Sequence, residues 1–347
     1  MIDTLQQQEP VALPERSFGR VVRSVLGYAL LVALMFISPL YVFIPAALFA
    51  CGMKNGKSAT IAMLTLATAI AWFIDMQTAH VPGVGATDAM LIYSYLAALV
   101  VAVSIPALLV LPLVKRAEPF GRVLVTAILL GISGLAATEA VMQTRFNFSP
   151  FHEQAIRARQ TATQVIATYQ KSGVPSDAIR ILSRWIDFAL SCLPAFFLID
   201  IIVVFVLSLV MFAHVREWRE ARRGATERSE TSATYLFRNF VLPEWLLFAF
   251  VIGGVTPLAT GMLQTVTANI LAVVAFLYLL QGLAIFRSLL VAVGAGFGGR
   301  MFGYFILGIL TITGIAPLLL SIAGLFDSFF DFRHFRRKDH SDESHPH

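Results

Sequence analysis

Eight apolar stretches, each longer than 18 residues, limit what this chain can fold into. An α-helix rises about 1.5 Å per residue, so a stretch of that length crosses a hydrocarbon core about 30 Å thick. The sequence is 57% hydrophobic and only 14% charged, whereas a soluble domain is about one quarter charged. We therefore predict an all-α, polytopic transmembrane helix bundle. The eight stretches are 21–53, 58–76, 88–114, 120–142, 186–213, 242–262, 267–290 and 301–330.

The first and last stretches are too long for one straight helix, which would run about 45 Å. Ser38-Pro39 and Pro45 interrupt the first stretch, and Gly314 and Pro317 interrupt the last. Proline removes a backbone donor and clashes with the preceding helical turn. We predict that each of these two stretches is broken into two helices.

The distribution of basic residues favours this broken arrangement. With both stretches broken, 20 of the 26 Lys and Arg residues lie on one side and six lie in the insert 143–185; with neither broken, they divide 13 to 13. Cytoplasmic loops carry an excess of Lys and Arg. The sequence thus predicts an inner-membrane protein with a cytoplasmic tail 1–20, a transmembrane domain 21–332 and a polar C-terminal tail 333–347, both termini being cytoplasmic.

Two regions of the transmembrane domain are not apolar. The extracytoplasmic insert 143–185 carries a stripe at helical spacing from Ala155 to Tyr169, which is typical either of a lid over a cavity mouth or of a helix packed on the loop itself. We favour the second interpretation because the stripe is mostly alanine. The linker 214–240 is charged and cytoplasmic; a solvated loop is favoured over a docking site for a partner.

The sequence lacks the motifs of the common enzyme classes. No Walker lysine motif, HExxH pair or nucleophile elbow is present. Cys51 and Cys192 have no metal-ligand spacing, and His340, His345 and His347 in the polar tail are a weak metal signal. The basic residues lie at segment ends rather than on a basic face interleaved with aromatic residues. We predict that the protein is not an enzyme, holds no metal or cofactor and binds no nucleic acid.

Asp200 is the most informative residue because it lies near the middle of the stretch 186–213. A carboxylate there costs about 2.5–3.5 kcal/mol on insertion scales. No Lys or Arg lies in the middle third of any stretch, so a partner would have to reach inward from a helix end, as Arg287 could. Otherwise Asp200 is protonated, bonded to a polar group such as Asn269 or Gln281, or facing a wet cavity that receives a cation or polar solute.

We name Asp200, Asn269, Gln281 and Glu139 as candidate substrate-binding or ion-binding residues. Glu139 is the weaker carboxylate candidate, because it lies three residues from the end of its stretch, where a charge costs less. A hydrogen bond that simply joins two helices is the alternative role for Asp200.

Short motifs in the C-terminal third resemble a known family. They are Leu242-Pro243-Glu244-Trp245, then Asn269 followed by Leu277-Tyr278-Leu279-Leu280-Gln281-Gly282, then Gly324-Leu325-Phe326-Asp327 and Asp331-Phe332-Arg333. Together with the stretch from Pro39 to Gly56, they resemble the YybS-like family of predicted bacterial membrane proteins over about 24–333. That family is distantly similar to the substrate-binding membrane subunits of energy-coupling-factor vitamin transporters, which also use short, broken N-terminal helices. This chain differs from those subunits in having more spans and a sizeable insert.

Two functions are compatible with these features. The first is solute binding or transport at a site near the bilayer midplane, because broken stretches at opposite ends of a chain are typical of such sites. Without an ATPase motif, such a protein needs an energising partner or an ion gradient. The second is a scaffold or assembly factor for envelope machinery, which the charged linker 214–240 would serve. Membrane lipid is the expected partner in both cases.

Overall fold

The computed structural model describes residues 18–79, 85–222, 237 and 240–330, and these contain helices and no β-strand. The predicted all-α class is therefore confirmed for this part of the chain. Most of the linker 214–240 and nearly all of both tails lie outside the described residues. The helices are α1 (Phe18–Phe36), α2 (Ile44–Asn55), α3 (Lys57–Ala79), α4 (Ala86–Ala98), α5 (Ile105–Lys115), α6 (Phe120–Phe146), α7 (Pro150–Lys171), α8 (Ser176–Ser191), α9 (Leu193–Arg222), α10 (Leu246–Gly254), α11 (Gly261–Ala292), α12 (Phe297–Ile312) and α13 (Ile315–Phe330).

Eight apolar stretches do not give eight spans. In the described part of the chain, five helices are long and apolar enough to cross a membrane, and α12 with α13, bent by 109°, would make a sixth. The stretches 21–53 and 242–262 instead give shorter apolar helices, Val21–Phe36 and Leu246–Leu258. The five spans are Lys57–Thr78, Ala86–Lys115, Phe120–Phe146, Leu193–Trp218 and Gly261–Ala292.

The first apolar stretch is interrupted at Ser38-Pro39, where the sequence predicts a break. Helix α1 ends at Phe36, and a 3-10 turn, Pro39–Phe43, precedes α2. The Ser38 hydroxyl accepts a hydrogen bond from the backbone N–H of Leu40 at 3.3 Å. Across the bundle, the Ser208 hydroxyl of α9 donates to the carbonyl of Val42 at 2.7 Å. Irregular backbone at membrane depth needs such protein partners, because lipid offers none.

The last apolar stretch turns at Gly314, also where the sequence predicts a break. Helix α12 ends at Ile312 and α13 begins at Ile315. Gly314 has a φ of +77°, a left-handed conformation that glycine adopts without steric cost. Pro317 falls in the first turn of α13, where its missing N–H is tolerated. The turn therefore produces the 109° bend between the two helices.

Helices α4 and α5 are joined by a π-helical segment, Leu99–Ser104, in the middle of one span. Helix α6 packs closely against this segment through two glycines. A Cβ atom at Gly134 would lie 2.5 Å from the carbonyl oxygen of Val101, and one at Gly131 would lie 3.0 Å from that of Ala102. The absence of side chains at these two positions lets the backbones of α6 and the π segment approach.

The predicted stretch 186–213 is divided between two helices. Its first residues belong to α8, which exposes Ile181, Trp185 and Phe188 on one face. The membrane span begins only at Leu193. Helix α8 also packs against α7, so the insert 143–185 forms a helical hairpin. The first turn of α7, however, reaches the interior of the bundle.

Candidate functional site

A chamber of about 450 Å³ lies among the Pro39–Phe43 turn, α4 and its π segment, α6, α7 and α9. This volume is within the ~300–1,000 Å³ range of small-molecule sites. Its wall is largely apolar and aromatic. The chamber is not fully enclosed, and Tyr95 and Phe196 on its wall are 46% and 51% exposed. The polar side chains that line it are those of Tyr41, Ser94, Tyr95, Thr138, Glu139, Gln154 and Asp200.

Asp200 faces this chamber. Because α9 begins at Leu193, Asp200 lies seven residues, or about 10 Å, into the helix, closer to one end of the span than the predicted midplane position. Its Oδ1 accepts a hydrogen bond from the Tyr41 hydroxyl at 2.8 Å. The residue is nevertheless exposed. Within residues 18–79, 85–222 and 240–330, no basic side chain forms a salt bridge with it.

Tyr41 reaches Asp200 because the first apolar stretch is broken. The 3-10 turn that carries Tyr41 packs directly against α9. The ring of Tyr41 also contacts that of Tyr95 edge to face, with centroids 6.1 Å apart. Neither tyrosine is among the residues singled out from the sequence. A signal for Tyr41 existed, since it is a hydroxyl-bearing residue two positions after Pro39 in an apolar run.

Glu139 lines the same chamber, but both of its carboxylate oxygens accept hydrogen bonds from the start of α7. Oε1 accepts a short hydrogen bond from the Ser149 hydroxyl, and Oε2 accepts one from the backbone N–H of Phe151 at 3.3 Å. Ser149 in turn accepts from the N–H of His152 at 3.2 Å. The N–H groups at a helix start lack helical partners and favour negative charge. Glu139 therefore caps α7 and fixes its first turn at the chamber.

The first turn of α7 covers one side of the chamber. Phe151 packs edge to face on Phe197 with ring centroids 4.6 Å apart. One turn further on, Arg157 donates a hydrogen bond of 2.5 Å to Asp88 at the start of α4. This hydrogen bond raises the pKa of Arg157. Helix α7 is therefore bonded to α4 through the Arg157–Asp88 ion pair and to α6 through Glu139.

The structure places Asn269 outside the chamber, at the junction of α8 and α9. Its Nδ2 donates to the carbonyl of Ser191 at 2.9 Å, and its Oδ1 accepts from the N–H of Ala195 at 2.8 Å. These are backbone groups on the two sides of the interruption at Cys192. Asn269 thus joins α11 to the start of α9, the span that carries Asp200. It bonds backbone groups there and not the Asp200 carboxylate.

Gln281 is also outside the chamber, in a buried polar cluster of the C-terminal third. Its Nε2 donates to Asp327 Oδ2 at 3.1 Å, and its Oε1 accepts from the N–H of Leu242 at 3.2 Å. At the same place Gly282 and Gly324 bring α11 and α13 into backbone contact. Three of the motifs that carry the family resemblance, at 242–245, 277–282 and 324–327, therefore meet at a packing contact between helices, whereas Asp331-Phe332-Arg333 lies outside the described residues.

The chamber thus contains two of the four predicted site residues, Asp200 and Glu139. In the part of the chain that the structure describes, no group of three or more His, Cys, Asp or Glu side chains could hold a metal ion. Of the two carboxylates, Asp200 keeps an oxygen that accepts no hydrogen bond from the described residues. Chemically, the chamber offers one available carboxylate, hydroxyl groups and aromatic rings.

The spans and the internal chamber define a multi-pass helical membrane protein. Residues 25–328 match the family described as predicted membrane protein, DUF2232, and the chain belongs to that family. No curated protein and no solved structure matches it. The narrower resemblance to YybS-like proteins, and the distant one to energy-coupling-factor subunits, are not confirmed and stay predictions.

Proposed function

We propose that this protein binds a small solute in the chamber beside Asp200, as a solute-binding or transport protein of the bacterial inner membrane. One observation carries the proposal: a carboxylate within a membrane span faces an open chamber of about 450 Å³. A structural hydrogen bond between helices would not need that space. The bond from Tyr41 occupies one oxygen only.

General properties of membrane sites support the proposal. Ionisable residues within spans are costly, and they commonly line cavities and the pathways of ions or substrates. Broken helices are a recurrent element of transporter sites. Here the break at Ser38-Pro39 supplies Tyr41, the hydrogen-bond donor to Asp200. The chamber therefore combines two features that are common in solute sites of membrane proteins: an ionisable residue within a span and a broken helix.

The proposed orientation puts both termini in the cytoplasm and the α7–α8 hairpin outside. It is supported by the 20 basic residues that this arrangement assigns to the cytoplasmic side. The chamber, which the first turn of α7 lines, would then open toward the extracytoplasmic side. Transport would require an ion gradient or an energising partner protein. The scaffold alternative rests on the linker 214–240, which lies largely outside the described residues.

Thiol labelling tests whether the chamber admits solutes. In the Ala98→Cys variant, the new thiol is expected to react with a membrane-impermeant methanethiosulfonate reagent in intact cells, because Ala98 lines the chamber. The matched Leu129→Cys variant places a thiol on α6 at a 59% exposed position that does not line the chamber. Since the reactive species is the solvated thiolate, we expect Ala98→Cys to react at least about tenfold faster.

The native thiols do not obscure this measurement, because Cys51 and Cys192 are both buried. The labelling is compared with that of the unmodified chain as background. Equal and negligible rates for the two variants would mean that the chamber is closed to water-soluble molecules. That result would contradict solute binding and leave the scaffold role as the better hypothesis.

A further inference from the structure

We propose that the solute is a small organic cation, in which an ammonium group is attached to an apolar body. This inference deepens the proposed function and rests on it. Three properties of the chamber carry it: the sign of its charge, its aromatic wall and its volume.

The charged groups of the chamber are all acidic. Its 18 lining residues include no Lys, Arg or His, and the two charged ones are Asp200 and Glu139. Glu139 is engaged by α7 through both oxygens. Asp200 retains an available oxygen toward the chamber. A carboxylate with no basic side chain beside it attracts a cation and repels an anion.

Aromatic rings make up much of the wall around this carboxylate. Tyr41, Tyr95, Phe151, Phe196 and Phe197 all line the chamber. The face of an aromatic ring attracts a cation within about 6 Å of its centroid, and this is a recurrent way to bind ammonium groups. The same rings offer apolar contact to the rest of the ligand.

The chamber is poorly suited to an inorganic cation. Calcium prefers six to eight oxygen ligands, and magnesium requires a near-octahedral set. Here one carboxylate is available, and among the described residues no cluster of three candidate metal ligands occurs. A volume of about 450 Å³ also exceeds what a bare ion fills. An ammonium ion with an apolar substituent matches both the charge and the space.

Three aromatic probes of similar size test whether the ligand is an organic cation: cationic benzyltrimethylammonium, neutral phenylacetamide and anionic phenylacetate. Each is equilibrated by dialysis against the purified full-length protein in lipid nanodiscs, with empty nanodiscs as background. We expect benzyltrimethylammonium to bind at least about tenfold more tightly than the other two, because it alone combines with both the carboxylate and the rings. This comparison requires no variant and therefore no assumption about folding.

Two variants then test whether Asp200 causes the preference for the cationic probe. Asp200→Asn removes the charge but keeps an oxygen that can accept the Tyr41 hydroxyl, so the chamber is preserved. We expect it to lose the preference for the cation, at least about tenfold in affinity, while neutral phenylacetamide binds as before. Asp75→Asn is the matched control, since Asp75 also lies in a membrane span but does not line the chamber. It is expected to keep the wild-type preference.

The outcomes separate this inference from the proposed function. Tighter binding of phenylacetamide or phenylacetate would overturn the organic-cation class while supporting a solute site. Binding of none of the probes, or unchanged cation affinity in Asp200→Asn, would also overturn the class. The proposed function is judged independently, by the labelling of the Ala98→Cys variant. Rapid labelling there together with no cation preference would mean a solute chamber for another chemical class.

Discussion

Replacing Gly324 with alanine is expected to force apart two helices of the C-terminal third and to destabilise the protein strongly. A Cβ atom at Gly324 would overlap the carbonyl oxygen of Tyr278 and lie 2.9 Å from the backbone nitrogen of Gly282. These are backbone atoms, so no side chain can rotate away. Helices α11 and α13 would have to separate, and we expect a loss of about 3 kcal/mol or more of unfolding free energy.

Thermal unfolding of the purified protein in detergent measures this effect. Gly308→Ala is the matched control, because Gly308 lies in α12 and a Cβ atom there meets nothing within 4 Å. Alanine favours a helix over glycine by about 1 kcal/mol, so the control is expected to be neutral or slightly stabilising. Equal unfolding temperatures for the two variants would show that α11 and α13 do not cross at Gly324.

Replacing Gln281 with leucine is the second change with a large expected effect. Gln281 is 1% exposed, and it bonds both the Asp327 carboxyl group and the backbone N–H of Leu242. Leucine would remove one hydrogen bond from each of these groups without giving them access to water. A buried group that loses a hydrogen bond costs about 1–3 kcal/mol, so for the two groups we expect a total loss of about 2–6 kcal/mol.

The same substitution at Gln264 provides the control, since this residue is exposed on the same helix. We expect Gln264→Leu to change stability by less than about 0.5 kcal/mol. Chemical denaturation that found Gln281→Leu as stable as Gln264→Leu would contradict the buried cluster.

The apolar lengths in the sequence were sufficient to predict a helical membrane protein, but not the number of spans. The stretch 242–262 is apolar along its length, yet its helix begins only at Leu246 and ends at Gly254, and a 3-10 turn, Thr256–Leu258, follows. The predicted stretch 186–213 began too early because α8 also has an apolar face, and apolar content alone does not distinguish an amphipathic helix from a span. The breaks at Ser38-Pro39 and Gly314 were predictable from local backbone chemistry.

The candidate site was predictable only in part, for a related reason. The cost of placing a charge within an apolar membrane stretch identifies Asp200 from sequence alone. Its partner Tyr41 is 159 residues away, and their contact depends on how the broken first stretch packs against α9. Asn269 and Gln281 were named as candidate binding residues because they are polar residues within apolar stretches. The sequence does not show which groups they bond, and in the structure both join helices outside the chamber.

The polar residues of the chamber and those of the C-terminal third therefore have different roles. Polar groups of the broken N-terminal stretch, α4, α6, α7 and α9 line the chamber. The motifs of the C-terminal third, including Gln281, Gly282, Gly324 and Asp327, hold helices together. A substitution in the second group is expected to reduce stability, whereas one at Asp200 is expected to change ligand preference.

A cryo-electron microscopy map of the full chain with 4-iodobenzyltrimethylammonium tests the central claim most directly. We expect iodine-containing density inside the chamber, with the ammonium group beside Asp200 and within about 6 Å of the ring of Tyr41 or Tyr95. A map in which Asp200 is packed between helices with no chamber, or in which the compound binds elsewhere, would contradict the claim.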